Sequence, residues 1–423
     1  MHKIKVLVFP CGSEVGLEIH RSLKYSRHIE LWGGNSTNDH GRFQYENYIG
    51  DIPYITSDKF EEHIKELVEK YDFDVIYPAM DSVVAYLKSI ESKLGCKVIA
   101  SPEPTSTYCG SKKLTFDKLN GKVKLPQIFE SLDEVKEYPI FMKPDIGYGS
   151  KGASKIGSEN EGIEHLKSWT NSLICEYLPG EEYTIDCFTD KNQKLLFVGP
   201  RIRNRMRSGI AVNTESLPKT ERKPFEEIAN TINSVFELRG AWFFQVKRDR
   251  FGELTLLEVA SRLGGSSILY RLKGVNFALL SVFDALDFDV QITENSFEIE
   301  VDRALDHKAK INYEFDSIYI DFDDCIYING LVNYELVGQV YKYINHGKSI
   351  YLITKHASDL EQKLKELRLN GLFDKIIHLK SNEKKSDFIN PKKAIFIDDS
   401  FAERFDVSTN LNIPTFSPDS IMF

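Results

Sequence analysis

The stretch "AWFFQVKRDRFGELTLLEVASRLGGSS" (241–267) decides how the middle of this chain is read. Two runs rich in aromatic and branched apolar residues flank a polar turn containing Phe-Gly, the pattern of a β-hairpin. "LICEYLPGEEYTIDCFTD" (173–190) repeats that texture upstream. Residues 104–310 are therefore expected to form an α+β domain.

The flanks read differently. "KVLVFP" (5–10) leads into "CGSEVGLEIHRSLK" (11–24), and strand-like "HIELWGG", helix-like "SDKFEEHIKELVEKY", strand-like "DVIYPAM", a helix near 82–94 and "KVIAS" follow. Alternation of this kind argues for a Rossmann-like α/β domain with a parallel sheet over residues 1–103. Gly12 and Gly16 are read as a tight turn into a helix rather than a phosphate loop. After the charged connector "VDRALDHKAKIN" (301–312) the alternation resumes, with strands near 317–321, 349–353, 374–379 and 393–397 and helices near 333–346 and 357–369. A third domain is expected over 313–423. The fold class is thus multidomain, α/β and α+β.

Composition narrows the function. A 423-residue chain exceeds what one core supports. A net charge of −9 argues against a nucleic-acid binder, whose affinity would rest on basic surface. No apolar run approaches the ~20 residues needed to cross a bilayer, so no membrane partner is expected. The six cysteines are scattered without a CxxC pair, which suits a reducing, cytoplasmic setting. The oligomeric state is left open, a homodimer included.

"FMKPDIGYGSKGASKI" (141–156) places Lys143 at a strand end before three glycines interleaved with Ser150 and Lys151. Backbone N–H groups in such a loop approach phosphate oxygens, and the lysines add charge, although the P-loop spacing is absent. Upstream stands "GSKKLTFDKL" (110–119). Taken with the two hairpins, these four ordered segments resemble the ATP-grasp superfamily over residues 1–300, in particular its carbamoyl-phosphate-synthase-like carboxylate–amine ligases.

The resemblance implies roles by position. Lys112 and Lys143 would hold the ATP phosphates beneath a lid containing Gly149, Ser150, Lys151 and Gly152. Glu176, Tyr177 and Leu178 would contact adenine and Glu182 the ribose. Gln245 and Glu258 would hold Mg²⁺, while Arg262 would stabilise charge developing at an acyl phosphate. The family's Glu-x-Asn-x-Arg is here "EVASR", so Ala260 removes one expected metal ligand. The arginines of "GPRIRNRMRSGIAVNTES" (199–216), Arg203 and Arg207 above all, together with Asp81 and Gly265, would meet the carboxylate and amine substrates.

"DSIYIDFDDCIYING" (316–330) crowds Asp321, Asp323 and Asp324 against the end of an apolar strand, and "AIFIDDS" (394–400) does the same with Asp398 and Asp399. Such like charge costs stability unless a cation binds there. Residues 314–423 resemble the haloacid dehalogenase (HAD) superfamily of magnesium phosphatases. By that resemblance Asp321 is the nucleophile, Asp323 the acid and base, Thr354 and Lys385 bind the phosphoryl group, and Asp321, Asp323 and Asp398, with Asp399 as a further acid of that motif, hold Mg²⁺; Lys384 is a rival to Lys385. Thirty residues separate Asp323 from Thr354, and thirty more separate Thr354 from Lys385, leaving no room for a cap domain.

The combined expectation is a bifunctional enzyme. An ADP-forming carboxylate–amine ligase would be joined to a capless phosphatase, with one ligase substrate phosphorylated. The rivals are an ATP-grasp kinase or thiol ligase with an editing HAD domain, and a nucleotide-gated binding module with silent sites.

Overall fold

The computed structural model describes residues 3–147, 149, 151–306, 309 and 311–421. The chain divides into two compact units, Met1–Leu305 and Asp306–Phe423.

In the first unit, β1 (Ile4–Phe9), β2 (Ile29–Gly34), β3 (Asn47–Ile49), β4 (Val75–Pro78) and β5 (Lys97–Val98) form a parallel sheet in the order β3-β2-β1-β4-β5. After Lys5, β1 reads as an unbroken apolar run, Val6 to Phe9, because that part is buried on both faces. Val6 and Val8 join one core cluster, while Leu7 and Phe9 join another. The strand order reverses between β1 and β4, where doubly wound sheets open a crevice at their carboxyl ends.

The β1 turn is closed by its own groups. Ser13 Oγ accepts from the Gly16 N–H at 3.0 Å and caps the helix Glu14–Leu23. A Cβ on Gly16 would stand 2.5 Å from the Cys11 carbonyl oxygen, and one on Gly12 only 1.9 Å from the Asp39 carboxylate. That acid occupies the space a phosphate would need, so these glycines serve a tight turn.

Two antiparallel sheets complete the unit. β6 (Ile128–Phe129), β7 (Ile140–Pro144), β8 (Ser154–Ile156) and β9 (Ser172–Glu176) form the smaller one, in the order β6-β9-β7-β8. The larger contains β10 (Glu182–Thr189), β11 (Leu195–Arg207), β12 (Ile210–Ser216), β13 (Gly240–Arg248), β14 (Leu254–Ala260) and β15 (Glu300–Asp302), ordered β14-β13-β10-β11-β12-β15. Trp242 and Phe244 of β13 pack on Phe225 and Ile232 of the helix Lys223–Val235, which fixes that sheet's buried face.

The second unit holds β16 (Ser317–Ile320), a two-stranded ribbon of β17 (Tyr327–Ile328) and β18 (Leu331–Val332), then β19 (Ser349–Thr354), β20 (Lys375–His378), β21 (Ala394–Ile397) and β22 (Thr415–Phe416). Its parallel sheet runs β20-β19-β16-β21-β22. Between β16 and β19 the chain makes only the ribbon and the helix Tyr334–Asn345, and between β19 and β20 only the helix Leu360–Glu366. The ribbon was not announced by periodicity, because two-residue strands carry no period, and the helix Phe401–Leu411 and β22 beyond β21 were not announced either.

Candidate functional site

In the first unit the decisive hairpin is β13–β14, where Gln245 stands directly opposite Glu258. Directly opposed residues of an antiparallel pair share a face, so their oxygens project together. Ala260 opposes Phe243 and adds no donor. The register slips next to this pair, leaving Leu257 as a bulge. A bulged residue has no ladder partner for its carbonyl. The Leu257 carbonyl instead accepts from Lys143 Nζ at 2.8 Å, tying the end of β7 to the Glu258 strand.

Lys112, the first residue of the helix Lys112–Leu119, donates to the carbonyls of Pro144 and Asp145 at 3.2 and 3.1 Å. Burial pulls the Lys143 ammonium below its ordinary value, and the charge of Lys112 pushes the same way. Lys143 also feels Glu258 and Glu182. Two lysines from separate segments are thus brought together beside an acid, a local excess of positive charge suited to phosphate.

Other expected residues lie as follows. Glu182 pairs with Arg203 at 3.2 Å and Lys247 at 3.6 Å. Arg203, expected to meet the acceptor substrate, is turned inward on the acid expected to meet ribose, and it also feels Glu258. Arg207 is exposed at the β11–β12 turn, where the Ser208 carbonyl oxygen lies 3.9 Å from the place a Gly149 Cβ would occupy. Gly152 has φ +73° and a Cβ there would strike Trp169, so only glycine fits; Lys151 beside it is exposed. Ser150 lies outside the described residues. Glu176 Oε1 accepts from the Gln127 N–H at 3.0 Å, Leu178 is buried, and Lys155 Nζ lies 4.4 Å from the Tyr177 ring centroid.

Arg262 and Asp81 form a bidentate pair, both bonds 2.8 Å, although 181 positions separate them. Asp81 begins the helix Asp81–Ser89 just beyond β4, at the carboxyl end of the parallel sheet. Burial alone would lower the Arg262 value, but Asp81 and then Glu258 more than offset it and hold it raised. Gly265 packs 3.4 Å from Glu14 Cβ, measured from where its own Cβ would stand.

In the second unit the carboxyl ends of three adjacent strands converge. Asp321 follows β16, Thr354 ends β19 and Asp398 follows β21. Lys385 Nζ lies 2.9 Å from Asp321 Oδ1 and 2.6 Å from Asp398 Oδ2, and it is buried, while Lys384 is exposed. Burial raises Asp321 despite Lys385, and it pushes Asp398 up to about 6. Burial also opposes the Lys385 charge, but Asp321 and Asp398 together hold its value above normal. Thr354 Oγ1 is buried and faces the Asp321 carboxyl without closing a well-formed hydrogen bond.

The metal set expected here is rearranged. Asp398 is taken up by Lys385 and by the Ser400 N–H at 2.8 Å. The Asp323 carboxylate turns away to His356, whose Nδ1 lies 2.9 Å from both of its oxygens. The donors that gather with Asp321 are Cys325 and Asp399, all three within 4.8 Å of one another. His356 was missed from sequence; "TKHAS" after β19 holds it two residues beyond Thr354, but nothing local shows that it reaches Asp323.

With the geometry in place, comparison supplies the class. A family model described as "ATP-grasp in the biosynthetic pathway with Ter operon" matches residues 168–305. The chain is 28% identical over 173 residues to a D-alanine--D-alanine ligase of Fusobacterium nucleatum, covering 37% of this chain and 58% of that protein. It thus spans little more than half the length of such relatives.

Among solved structures it resembles the biotin carboxylase domain of Hydrogenobacter thermophilus 2-oxoglutarate carboxylase, solved with MgADP, ADP and bicarbonate. That match has a TM-score of 0.58 at 17% identity, over 69% of this chain and 72% of that one. An L-amino acid ligase from Bacillus licheniformis gives a TM-score of 0.55 at 17% identity, over 67% and 74%. The chain carries an ATP-grasp fold within a mixed α/β multidomain architecture. Among the described residues, no helix is long and apolar enough to cross a membrane.

Proposed function

We propose that the first unit is an ATP-dependent, ADP-forming carboxylate–amine ligase and that the second is a phosphatase. The observation behind the ligase reading is the meeting of Lys112 and Lys143 beside the paired Gln245 and Glu258. In this reading a substrate carboxylate oxygen attacks the terminal phosphorus of ATP and ADP leaves. The amine nitrogen then attacks the acyl phosphate carbonyl, releasing inorganic phosphate and a proton. Lys112 and Lys143 bind the phosphates, and Arg262, fixed by Asp81, opposes charge on the carbonyl oxygen. Gln245 and Glu258 offer hard oxygens that would hold Mg²⁺, and the ion would neutralise charge on the nucleotide phosphates. Two similar proteins, the D-alanine--D-alanine ligase and the L-amino acid ligase, are named for joining amino acids, so an amino acid is the first carboxylate to try.

The phosphatase reading rests on Lys385 bridging Asp321 and Asp398, with the buried Thr354 hydroxyl facing Asp321. Asp321 attacks phosphorus, and Asp323, oriented by His356, protonates the leaving oxygen and then takes a proton from the water that hydrolyses the aspartyl phosphate. The absence of any inserted domain between β16 and β20 supports a capless, open mouth. Mg²⁺ at Asp321 and Asp399 would neutralise the incoming phosphate. We place the enzyme in the cytoplasm, where its free cysteines would stay reduced. The phosphate removed would be one carried through ligation.

ADP release measured across a panel of carboxylates and amines tests the ligase reading. Hydrolysis of an aryl phosphate by the full chain tests the other. Absence of amine-dependent ADP release across amino-acid pairs would overturn the first.

A further inference from the structure

Cys325 directly follows the acid stretch after β16 and is fully buried. Its sulfur and one carboxylate oxygen each of Asp321 and Asp399 lie mutually within 4.8 Å. The backbone of Asp399 is hydrogen-bonded to that sulfur, so the strand end after β21 is held against it. Asp399 itself is exposed, so the cluster opens to solvent on one side and is closed by sulfur on the other. A second feature points to a ligand here: Thr354 Oγ1, only 1% exposed, faces Asp321 without closing a well-formed hydrogen bond to any group.

The donor set decides the class of ion. Two carboxylate oxygens suit Mg²⁺, but a thiolate contributes little to so hard a cation. Zinc-like ions take thiolate at ~2.3 Å and carboxylate at ~2.0–2.2 Å, spans compatible with three donors gathered this closely. We propose that Asp321, Cys325 and Asp399 form a site for a thiophilic divalent cation of the zinc and cadmium class, bound through the Cys325 sulfur.

On binding, the S–H bond breaks, its proton passes to solvent and the sulfur donates an electron pair to the metal; nothing is oxidised or reduced. Occupancy would tie up the Asp321 oxygen and displace Mg²⁺, so a thiophilic ion would silence the phosphatase. Only this consequence rests on the phosphatase reading; the donor set does not.

The test is to titrate the full chain with cadmium chloride and follow the ultraviolet sulfur-to-cadmium charge-transfer band. Wild type should develop the band with one equivalent bound, and Cys325→Ser should lose it. The five other cysteines should add nothing, since among the described residues none joins such a cluster. Asp399→Asn, at an exposed position, should fold normally and weaken cadmium binding by about tenfold or more, a loss seen even for groups one shell out from a metal.

An undiminished band in Cys325→Ser, no band in folded wild type, or unchanged cadmium affinity in Asp399→Asn would each overturn the proposal. Aryl phosphate hydrolysis with Mg²⁺ is measured alongside. If the band follows Cys325 while no phosphate ester is turned over, the cation site stands and the phosphatase reading falls.

Discussion

The parallel sheets of the two units share one strand order, with the first strand of each segment in the middle, the next two to one side and the last two to the other. Their strand ends are filled differently. After β1 and β4, Ser13 caps a helix, Asp39 covers Gly12, and Asp81 clamps Arg262, so the polar groups satisfy one another. After β16, β19 and β21, Asp321 and Asp398 share the ammonium of Lys385, Asp399 gathers with Asp321 and Cys325, and the Thr354 hydroxyl faces Asp321 without closing a well-formed hydrogen bond. A strand end left short of positive charge and of a hydrogen bond costs stability, and a ligand that supplies both removes the cost. The same topology therefore serves as scaffold in one unit and presents a site in the other.

The strongest way to break this contrast is Asp321→Asn. Phosphate-ester hydrolysis should fall by roughly 10⁴-fold or more, as for other lost nucleophiles. ADP release by the ligase should be unchanged. If the two reactions are consecutive, mass spectrometry should find a ligated product heavier by one phosphoryl group. Identical products from mutant and wild type would sink the consecutive order.

Arg262→Ala asks whether the satisfied end of β4 is scaffold alone. If the guanidinium also opposes charge on a reacting carbonyl, amine-dependent ADP release should drop by about 10²–10³ while phosphate-ester turnover holds. A loss of less than about tenfold in folded protein would make the Asp81 pair purely structural.

Thr354→Val sharpens the contrast from the other side. The hydroxyl closes no well-formed hydrogen bond within the protein, so an isosteric methyl should leave the melting temperature level or raise it. Hydrolysis should fall by about ten- to a hundredfold, the worth of one hydrogen bond to a charged phosphoryl oxygen. A destabilised variant with normal turnover would reverse the assignment.

The residues readable from sequence were those that end a strand. Lys143, Asp321, Thr354 and Asp398 each come at the end of an apolar run, and for Asp321, Thr354 and Asp398 the parallel-strand rule places such residues at a sheet's carboxyl edge. Pairings were not readable. Asp81 and Arg262 meet across 181 positions, and Arg203 turns to Glu182 because the antiparallel register, with Tyr183 opposite Ile202, brings the two beside each other on neighbouring strands. Asp399 rather than Asp398 faces Asp321's open side, since Lys385 draws Asp398 inward; a dipeptide of two acids cannot say which one a distant lysine takes. His356 on Asp323 escaped for the same reason.

A last expected effect, on stability and not on turnover, concerns a balanced charge cluster far from either chemistry. Glu294, on the irregular stretch before β15, lies 2.7 Å from Arg222 and 3.1 Å from Lys273, and all three side chains are buried. Burial alone would raise the Glu294 carboxyl, but its hydrogen bonds to Arg222 and Lys273 outweigh that and hold it below the usual range. A folded value below the unfolded one means that the carboxylate adds stability above about pH 4.3, the unfolded value, and loses it as pH falls through the folded value. Glu294→Gln should therefore cost about 3 kcal/mol near neutral pH, by leaving buried cations without their acid. The gap from wild type should narrow in acid, where wild type also loses the charge. Tryptophan fluorescence during urea unfolding reports it cleanly, because Trp32, Trp169 and Trp242 all lie in the first unit. ADP release per folded molecule should not change. A gap that stays constant as pH falls well below about 4.3, through the depressed folded value, would show that Glu294 acts through shape rather than charge, and the contrast between balanced and unbalanced clusters would lose its electrostatic basis.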